Sequence, residues 1–427
     1  MKTILILITL WSVTLLLRAQ ARDLEYYLAQ AESNSPLLHQ NANERKVLSL
    51  DMQQVKSVIS KPEISLVGNL MFAPIISHDA GSARFELVSD GATNYYGHDL
   101  AITDGGNYEA GIAIMKPLLA GSILKSYTER ADISREIKDN DRALTVHEIE
   151  QLVGYQYILC LKAKVEAAYN RAVLDRMDEQ LAIMKKLVDR AVYKQTDRML
   201  MQIERSSFEE AYQTSRAQYR NNLYDLNLIC GIRDTMLTEI AETEFKLKRA
   251  PDGHSNFENS FRLDSLNLLA EQSVFEQKYR PRLYWFANAG LNASYLPTPD
   301  RLGFSTGLTF SWTIFDGNQR RINEERTNIN VNTITFNRMD FTRKADIHRN
   351  KILLEIESIG ERETLAKDQL SRYDRLIEAY LSELPLGETS IMDLKNLIRE
   401  RAAKQQQMVE LKMQRFLMIN AYNYWNY

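Results

Sequence analysis

The stretch from Gly303 to Arg321, GFSTGLTFSWTIFDGNQRR, alternates between two kinds of side chain. Phe304, Thr306, Leu308, Phe310, Trp312 and Ile314 form an apolar, aromatic set. Gly303, Ser305, Gly307, Thr309, Ser311 and Thr313 form a small, polar, uncharged one. A period of two is the mark of a strand. On a soluble core the outer set would carry Lys, Glu or Gln. This composition suits a strand with hydrocarbon on one side and a filled or watery interior on the other. Phe304, Leu308, Phe310, Trp312 and Ile314 are therefore expected to face lipid. Four strands follow, over about 62–72, 107–118, 281–293 and 303–315. Each has roughly the 9–11 residues of a tilted transmembrane strand. Pro62 and Pro281 stand at strand starts, where a missing N–H is tolerated. In the second strand Tyr108, Ala110, Ile112 and Ile114 alternate with Asn107, Glu109, Gly111 and Ala113; the first and third alternate more loosely.

Elsewhere the period changes to that of long helices. From Ser122 to Val192 there is no Pro and one Gly, Gly154; from Asn318 to Glu383 there is no Pro and one Gly, Gly360. At 1.5 Å per residue such helices reach roughly 100 Å. Near the far end of the first, Met177, Leu181, Met184, Val188 and Ala191 recur at coiled-coil spacing. In the second, Leu370, Tyr373, Ile377, Tyr380 and Leu384 do the same. A turn follows each, near Lys194 and at LPLGE, and a long helix returns.

The chain is a duplicated unit. Gly111-Ile-Ala-Ile-Met-Lys-Pro-Leu-Leu-Ala-Gly121 matches Gly307-Leu-Thr-Phe-Ser-Trp-Thr-Ile-Phe-Asp-Gly317 at an offset of 196. KPEISLVGNL from Lys61 resembles RPRLYWFANAGL from Arg280, and KQTDRML from Lys194 resembles GETSIMDL from Gly387. Each half reads as helix, strand, loop, strand, long helix, tight turn, long helix. The expected divisions are a first repeat at 22–231, a connector at 232–260 and a second repeat at 261–427.

Residues 1–21 read as a signal peptide: Lys2, an apolar run from Ile4 to Leu17, then RAQA with the A-x-A spacing of a cleavage site. The run is short of the ~20 residues of a spanning helix, and no later segment is apolar enough. An exported chain without such helices can cross a membrane only as a closed barrel. The formal charge of −3 and the absence of a basic run give no argument for nucleic acid. With 26% charged and 44% hydrophobic residues the chain is not a disordered one. No GxxxxGK[ST], HExxH or CxxC motif occurs, and the six histidines are scattered. The sequence thus implies no enzyme, no cofactor and no metal. The loop at 73–106 carries Asp79, Glu86, Asp90, Asp99 and Asp104 against Arg84. It reads as a solvated loop, with a cation site as the alternative. Cys160 and Cys230 lie nearly equidistant from the turn at Lys194, so an exported chain could join them or leave both free.

Four strands cannot close around side chains; about eight are needed. Three copies would supply twelve, with the paired helices continuing as a tube. At this point the duplicated GIAIMKPLLAG and GLTFSWTIFDG turns, the KPEISL and RPRLYW strand starts, and the QTDRML and ETSIMDL segments together resemble the TolC-like outer-membrane factors. The resemblance covers essentially the whole mature chain. It implies an α+β membrane protein: a homotrimeric 12-stranded β-barrel in outer-membrane lipid, continuous with a periplasmic α-helical barrel. It further implies docking to a periplasmic adaptor and an inner-membrane pump of RND or ABC type. Such a duct, in efflux or type I secretion, passes drugs, small toxic compounds or proteins. A periplasmic coiled-coil adaptor or structural protein is the alternative, and a surface-exposed binding protein a third reading.

The resemblance also implies a gate at the helix turns, where an acid on one turn is held by a base on the other. Asp197 falls on the acid of the first turn, and Asp393 on a ring acid of the second. The locking base is replaced by Thr389, and a second ring acid by Asn396. That leaves the lock to Arg190, to Arg198 or to packing of Tyr193. Asp197 also suits a helix N-cap, whereas Asp393 is expected several residues into its helix, where capping explains it less well.

Overall fold

A computed structural model of the chain describes residues 21–87, 91–97, 107–234, 236–249, 255–294 and 302–427. The expected signal peptide, apart from Ala21, lies outside these residues. So do Asp90, Asp99 and Asp104 of the acidic loop and most of the 294–302 turn. The fold divides into two compact units. One takes Met1–Ala42, Asp139–Ser260 and Asn337–Tyr427; the other takes Asn43–Lys138 and Phe261–Phe336. Each therefore draws on both halves of the sequence.

Two helices open the described chain, α1 (Leu24–Asn34) and α2 (Pro36–Ser60), where the pattern predicts one. Asp23 caps α1 by accepting the Tyr26 N–H at 2.9 Å. Pro36, which has no N–H to give to a preceding turn, starts α2 afresh.

The second unit holds a four-stranded antiparallel sheet of β1 (Glu63–Met71), β5 (Asn107–Pro117), β6 (Arg282–Ser294) and β7 (Leu302–Ser311), paired in that order. Among the described residues the sheet is open: β1 and β7 each have one unpaired edge. Directly paired residues of an antiparallel ladder share a face. Ile112 pairs with Leu66 on one side and Ala289 on the other, and Ala289 with Phe304. One face thus collects Leu66, Ile112, Leu308 and Phe310 beside Trp285, while the other collects Ser65, Glu109, Asn288, Ser305 and Thr309. The apolar sets drawn separately on the second and fourth strands fall on a single face. The first and third alternate loosely because Val67 on the first and Tyr284 and Phe286 on the third sit among the polar residues of the other face. The ring of Phe286 lies across Gly307: a Cβ there would meet its Cζ at 2.7 Å. Gly111 and Gly290 face one another. A Cβ on Gly111 would come within 2.6 Å of the Ala289 carbonyl oxygen and 2.9 Å of the Gly290 Cα, so these strands approach where neither carries a side chain.

The fourth strand is shorter than its alternation suggests. It ends at Ser311, and Trp312 and Ile314 lie beyond it. Trp312 donates its indole N–H to the Tyr279 carbonyl at 3.1 Å. The 73–106 loop contains a small sheet of β2 (Ile75–Ser77), β3 (Arg84–Glu86) and β4 (Tyr95–Tyr96) in the order β3-β2-β4. Asp79 is engaged there, accepting from the Thr93 N–H and hydroxyl and from the Asn94 N–H. Among the described residues no group of three or more His, Cys, Asp or Glu could hold a metal ion.

The long helices are present as predicted: α3 (Gly121–Asp189) returns as α4 (Gln195–Ile229), and α6 (Gln319–Glu383) returns as α7 (Ile391–Trp425). A shorter helix, α5 (Asn256–Glu276), precedes β6. The two strand-to-helix turns differ despite their shared glycines. Gly317 and Asn318 take the left-handed conformation at φ 72° and 65°, whereas Gly121 begins α3 directly. No described helix is long and apolar enough to cross a membrane.

In the first unit a core of Tyr27, Tyr157, Leu223, Leu226, Met413 and Phe416 joins α1, α3, α4 and α7. The described connector residues, 232–234 and 236–249, lie against this bundle without forming a helix. Their backbone is satisfied by a short parallel bridge, Arg22 with Ile240, and by side chains. Tyr157 donates to the Ala241 carbonyl at 2.6 Å, Lys164 to the Ile240 carbonyl at 2.6 Å, and Tyr219 to the Thr238 carbonyl at 3.0 Å. Cys160 and Cys230 lie in the same core but are free thiols. The bridge that their spacing permits is not formed. Burial pushes both thiols up to about 12, so neither ionises at neutral pH.

Candidate functional site

The two helical hairpins of the first unit end side by side. The apolar stripe of each runs into one shared cluster that includes Met177, Met184, Met201, Leu384, Ile391 and Leu394. Ala191 is not part of the stripe. Its φ of 58° ends α3, and the Val192 N–H returns to the Leu187 carbonyl as a helix-terminating turn. The second hairpin turns through Leu384–Leu386 and Gly387, at φ 75°. A Cβ on Gly387 would meet the Val192 side chain at 2.9 Å, so the two turns touch.

Tyr193 and Thr389 tie them. The Tyr193 hydroxyl donates to the Thr389 carbonyl at 3.1 Å, and the Thr389 hydroxyl donates to the Tyr380 carbonyl at 3.1 Å. Thr389 is 6% exposed. The position where the resemblance implies a locking base is therefore a buried part of a neutral tie. Tyr193 and Thr389 are themselves equivalent positions of the duplication, 196 residues apart.

Asp197 and Asp393 are equivalent too, and both occupy the third position of a helix. The Asp197 carboxylate accepts the Lys194 N–H at 3.0 Å, so it satisfies the N-cap residue's backbone from the third helical position rather than being the N-cap itself. Asp393 is in the first turn of α7, not beyond it: its N–H is capped by Ser390 Oγ at 3.3 Å, and its carboxylate is exposed. A carboxylate in a first turn is favoured by the helix dipole. Among the described residues neither aspartate has an ion-pair partner, and neither Arg190 nor Arg198 holds one. Arg198 buries its Nε without a hydrogen bond.

Sequence reasoning missed what closes each hairpin. Arg205 on α4 bonds Asp178 on α3 through Nε at 2.6 Å and Nη2 at 3.2 Å. Arg401 on α7 bonds Asp374 on α6 through the same atoms at 2.8 and 3.4 Å. The Arg205 guanidinium holds the Asp178 carboxyl below the usual carboxylate range. The offset of 196 relates both pairs and was the available signal. A third arginine, Arg399, joins α7 to a buried Glu204 on α4 at 2.8 Å, so the hairpins are linked to each other as well.

Solved structures share this arrangement of strands and hairpins. CusC, in a study of transmembrane channel formation, superposes with a TM-score of 0.71 at 11% identity, over 95% of this chain and 92% of its own. The outer membrane protein VceC from Vibrio cholerae gives 0.69 at 11% identity, over 94% and 96%. The open state of the outer membrane channel MtrE from Neisseria gonorrhoeae gives 0.67 at 11%, over 94% and 88%. The chain has the fold of the TolC-like outer-membrane channels. At the level of sequence alone, no protein-family model and no curated protein matches it. What this channel fold shares with its neighbours is thus the backbone. The tie of Tyr193 to Thr389 and the two Arg–Asp pairs are read from this chain's own side chains.

Proposed function

We propose that the chain is one third of a passive exit duct in the outer membrane, a trimer that releases small toxic compounds, drugs or proteins. Three copies supply twelve strands, and β7 of each pairs with β1 of the next, leaving no open edge. The apolar face of the sheet meets lipid, with Phe304, Leu308 and Phe310 on it and Trp312 and Ile314 just past its end. The mixed face lines the lumen. The helical hairpins extend into the periplasm, where an adaptor and an inner-membrane pump would dock.

One observation carries this reading. Helix α6, which follows the open edge strand β7, leaves a row of large apolar residues uncovered in the same unit: Ile322, Ile329 and Phe336. Their spacing of 7 residues keeps one face of a helix. Phe336 is 72% exposed. A row of this length on an open edge asks for another chain. On the opposite edge, α2 before β1 exposes Val47, Leu50 and Val58, which gives the neighbouring copy a matching surface. Such a head-to-tail contact closes as a ring.

The hairpin turns form the resting closure. Tyr193 and Thr389 hold the two turns of one chain together, and Asp197 and Asp393 place carboxylates near them. A neighbouring fold, MtrE, has been described in an open state, and an exit duct needs a closed state as well. Planar-bilayer recording tests the duct. The purified protein should give discrete, low conductance at rest, and a preparation that never conducts rejects the proposal. An adaptor would be extracted by carbonate washing of membranes, whereas this chain should stay.

A further inference from the structure

The second unit contains a cavity of about 630 Å3 where the strands meet the helices, lined from α2, β1, β5, α3, α5 and β6. Its floor is apolar, with Ile59, Met115, Ile123 and Val274; Tyr127, Phe275 and Tyr284 give it aromatic walls. Small-molecule sites have this size, ~300–1,000 Å3, and this mixture of apolar walls with a few charges. Three cations stand on the wall against one carboxylate, Glu63. Lys278 is already engaged, with Nζ 3.1 Å from Gln319 Oε1 and 3.8 Å from Asp316. Lys61 and Arg282 are exposed, and among the described residues neither has an ion-pair partner.

The strand register fixes the cavity's side. Glu63, Met115 and Arg282 belong to the mixed face of the sheet, not to the face with Leu66 and Phe310. We infer that this cavity is a cargo subsite for amphiphilic aromatic anions, with Arg282 and Lys61 holding the anionic group and the rings of Tyr127, Phe275 and Tyr284 the apolar body. The inference rests on the proposed duct, because it needs the mixed face to line the lumen. Guanidinium and ammonium groups form charge-assisted hydrogen bonds with sulfonate or carboxylate oxygens, and a flat ring fills the aromatic wall. The single carboxylate opposes the anion, so Glu63 sets an upper limit on retention. A transit site must release its cargo as well as hold it.

The test uses 2-naphthalenesulfonate, with neutral 2-naphthol as the matched control, on the full protein in lipid nanodiscs by equilibrium dialysis against empty discs. The sulfonate should bind in preference to the naphthol. Arg282→Ala and Lys61→Ala should each weaken it by about tenfold, the scale of one charge-assisted bond. Glu63→Gln should strengthen it several-fold, a gain that misfolding does not produce. Equal binding of sulfonate and naphthol, or an affinity unchanged in all three variants, overturns the inference. The same preparations are recorded in planar bilayers. A protein that conducts but does not bind the sulfonate overturns the subsite alone; one that does not conduct overturns the duct on which it rests.

Discussion

At single positions the sheet decides most. Gly111 and Gly290 meet with no room for a side chain between them, and both are in registered strands that cannot shift without turning every neighbour to the wrong face. Gly290→Val should therefore lower the yield of membrane-inserted protein severely, while Gly303→Ala, whose added Cβ would meet only the Gly290 carbonyl oxygen at 4.0 Å, should leave it near normal. Quantitative blotting of membrane fractions checks the pair. Phe310 and Thr309 are adjacent residues on opposite faces. Phe310→Arg would place a charge in hydrocarbon, at about 2–4 kcal/mol near mid-bilayer, and should impair insertion more than Thr309→Arg. Equal damage from both would mean that the faces have been assigned wrongly. The set that shares the apolar face could be read from sequence because alternation is strict where small polar residues oppose large apolar ones. Burial of Thr389 could not, since a threonine beside a turn suits water and core alike.

At the scale of elements, each hairpin is a closed unit with its own arginine pin, and the turns are tied by a neutral hydrogen bond. Arg401 is the more buried of the two pins and also donates to the Tyr169 hydroxyl at 3.1 Å. Asp374→Asn should accordingly lower the thermal midpoint more than Asp178→Asn. Each should cost about 0.5–1 kcal/mol, the upper range for partly exposed pairs. The depressed Asp178 carboxyl sets the direction with pH: its contribution is present above the ordinary carboxylate range and is lost as pH falls through the lowered value. The aspartates at the turns act differently. Asp393 is exposed and has no ion-pair partner among the described residues, so three copies would present a ring of carboxylates that favours cations. Asp393→Asn should lower cation selectivity and weaken block by trivalent cations. Asp197 accepts a backbone N–H at the start of α4, so Asp197→Ala should loosen that turn and raise resting conductance. Bilayer recordings with both properties unchanged would remove the gate from these residues and leave the duct.

At the scale of the whole molecule, the long helices, the four strands and the duplication were legible because each repeats a period over many residues. The three short strands between Ile75 and Tyr96 were not; none is long enough to show a period of two. The break between α1 and α2 was signalled by Pro36, and the free cysteines were left open by a spacing that fixes height along a hairpin but not facing direction. The position of Asp393 was misjudged because its helix starts at Ile391, later than the apolar pattern alone implies. The candidate site was legible as two turns with their acids. The bonds between those turns depend on packing that only the folded chain displays. Everything in this account rests on copies completing one another, since the edges of β1 and β7 and the apolar row on α6 are open in a single chain. Native mass spectrometry of the detergent-purified complex measures this directly. The account predicts a mass of three chains that persists on dilution, and a well-folded monomer would contradict it.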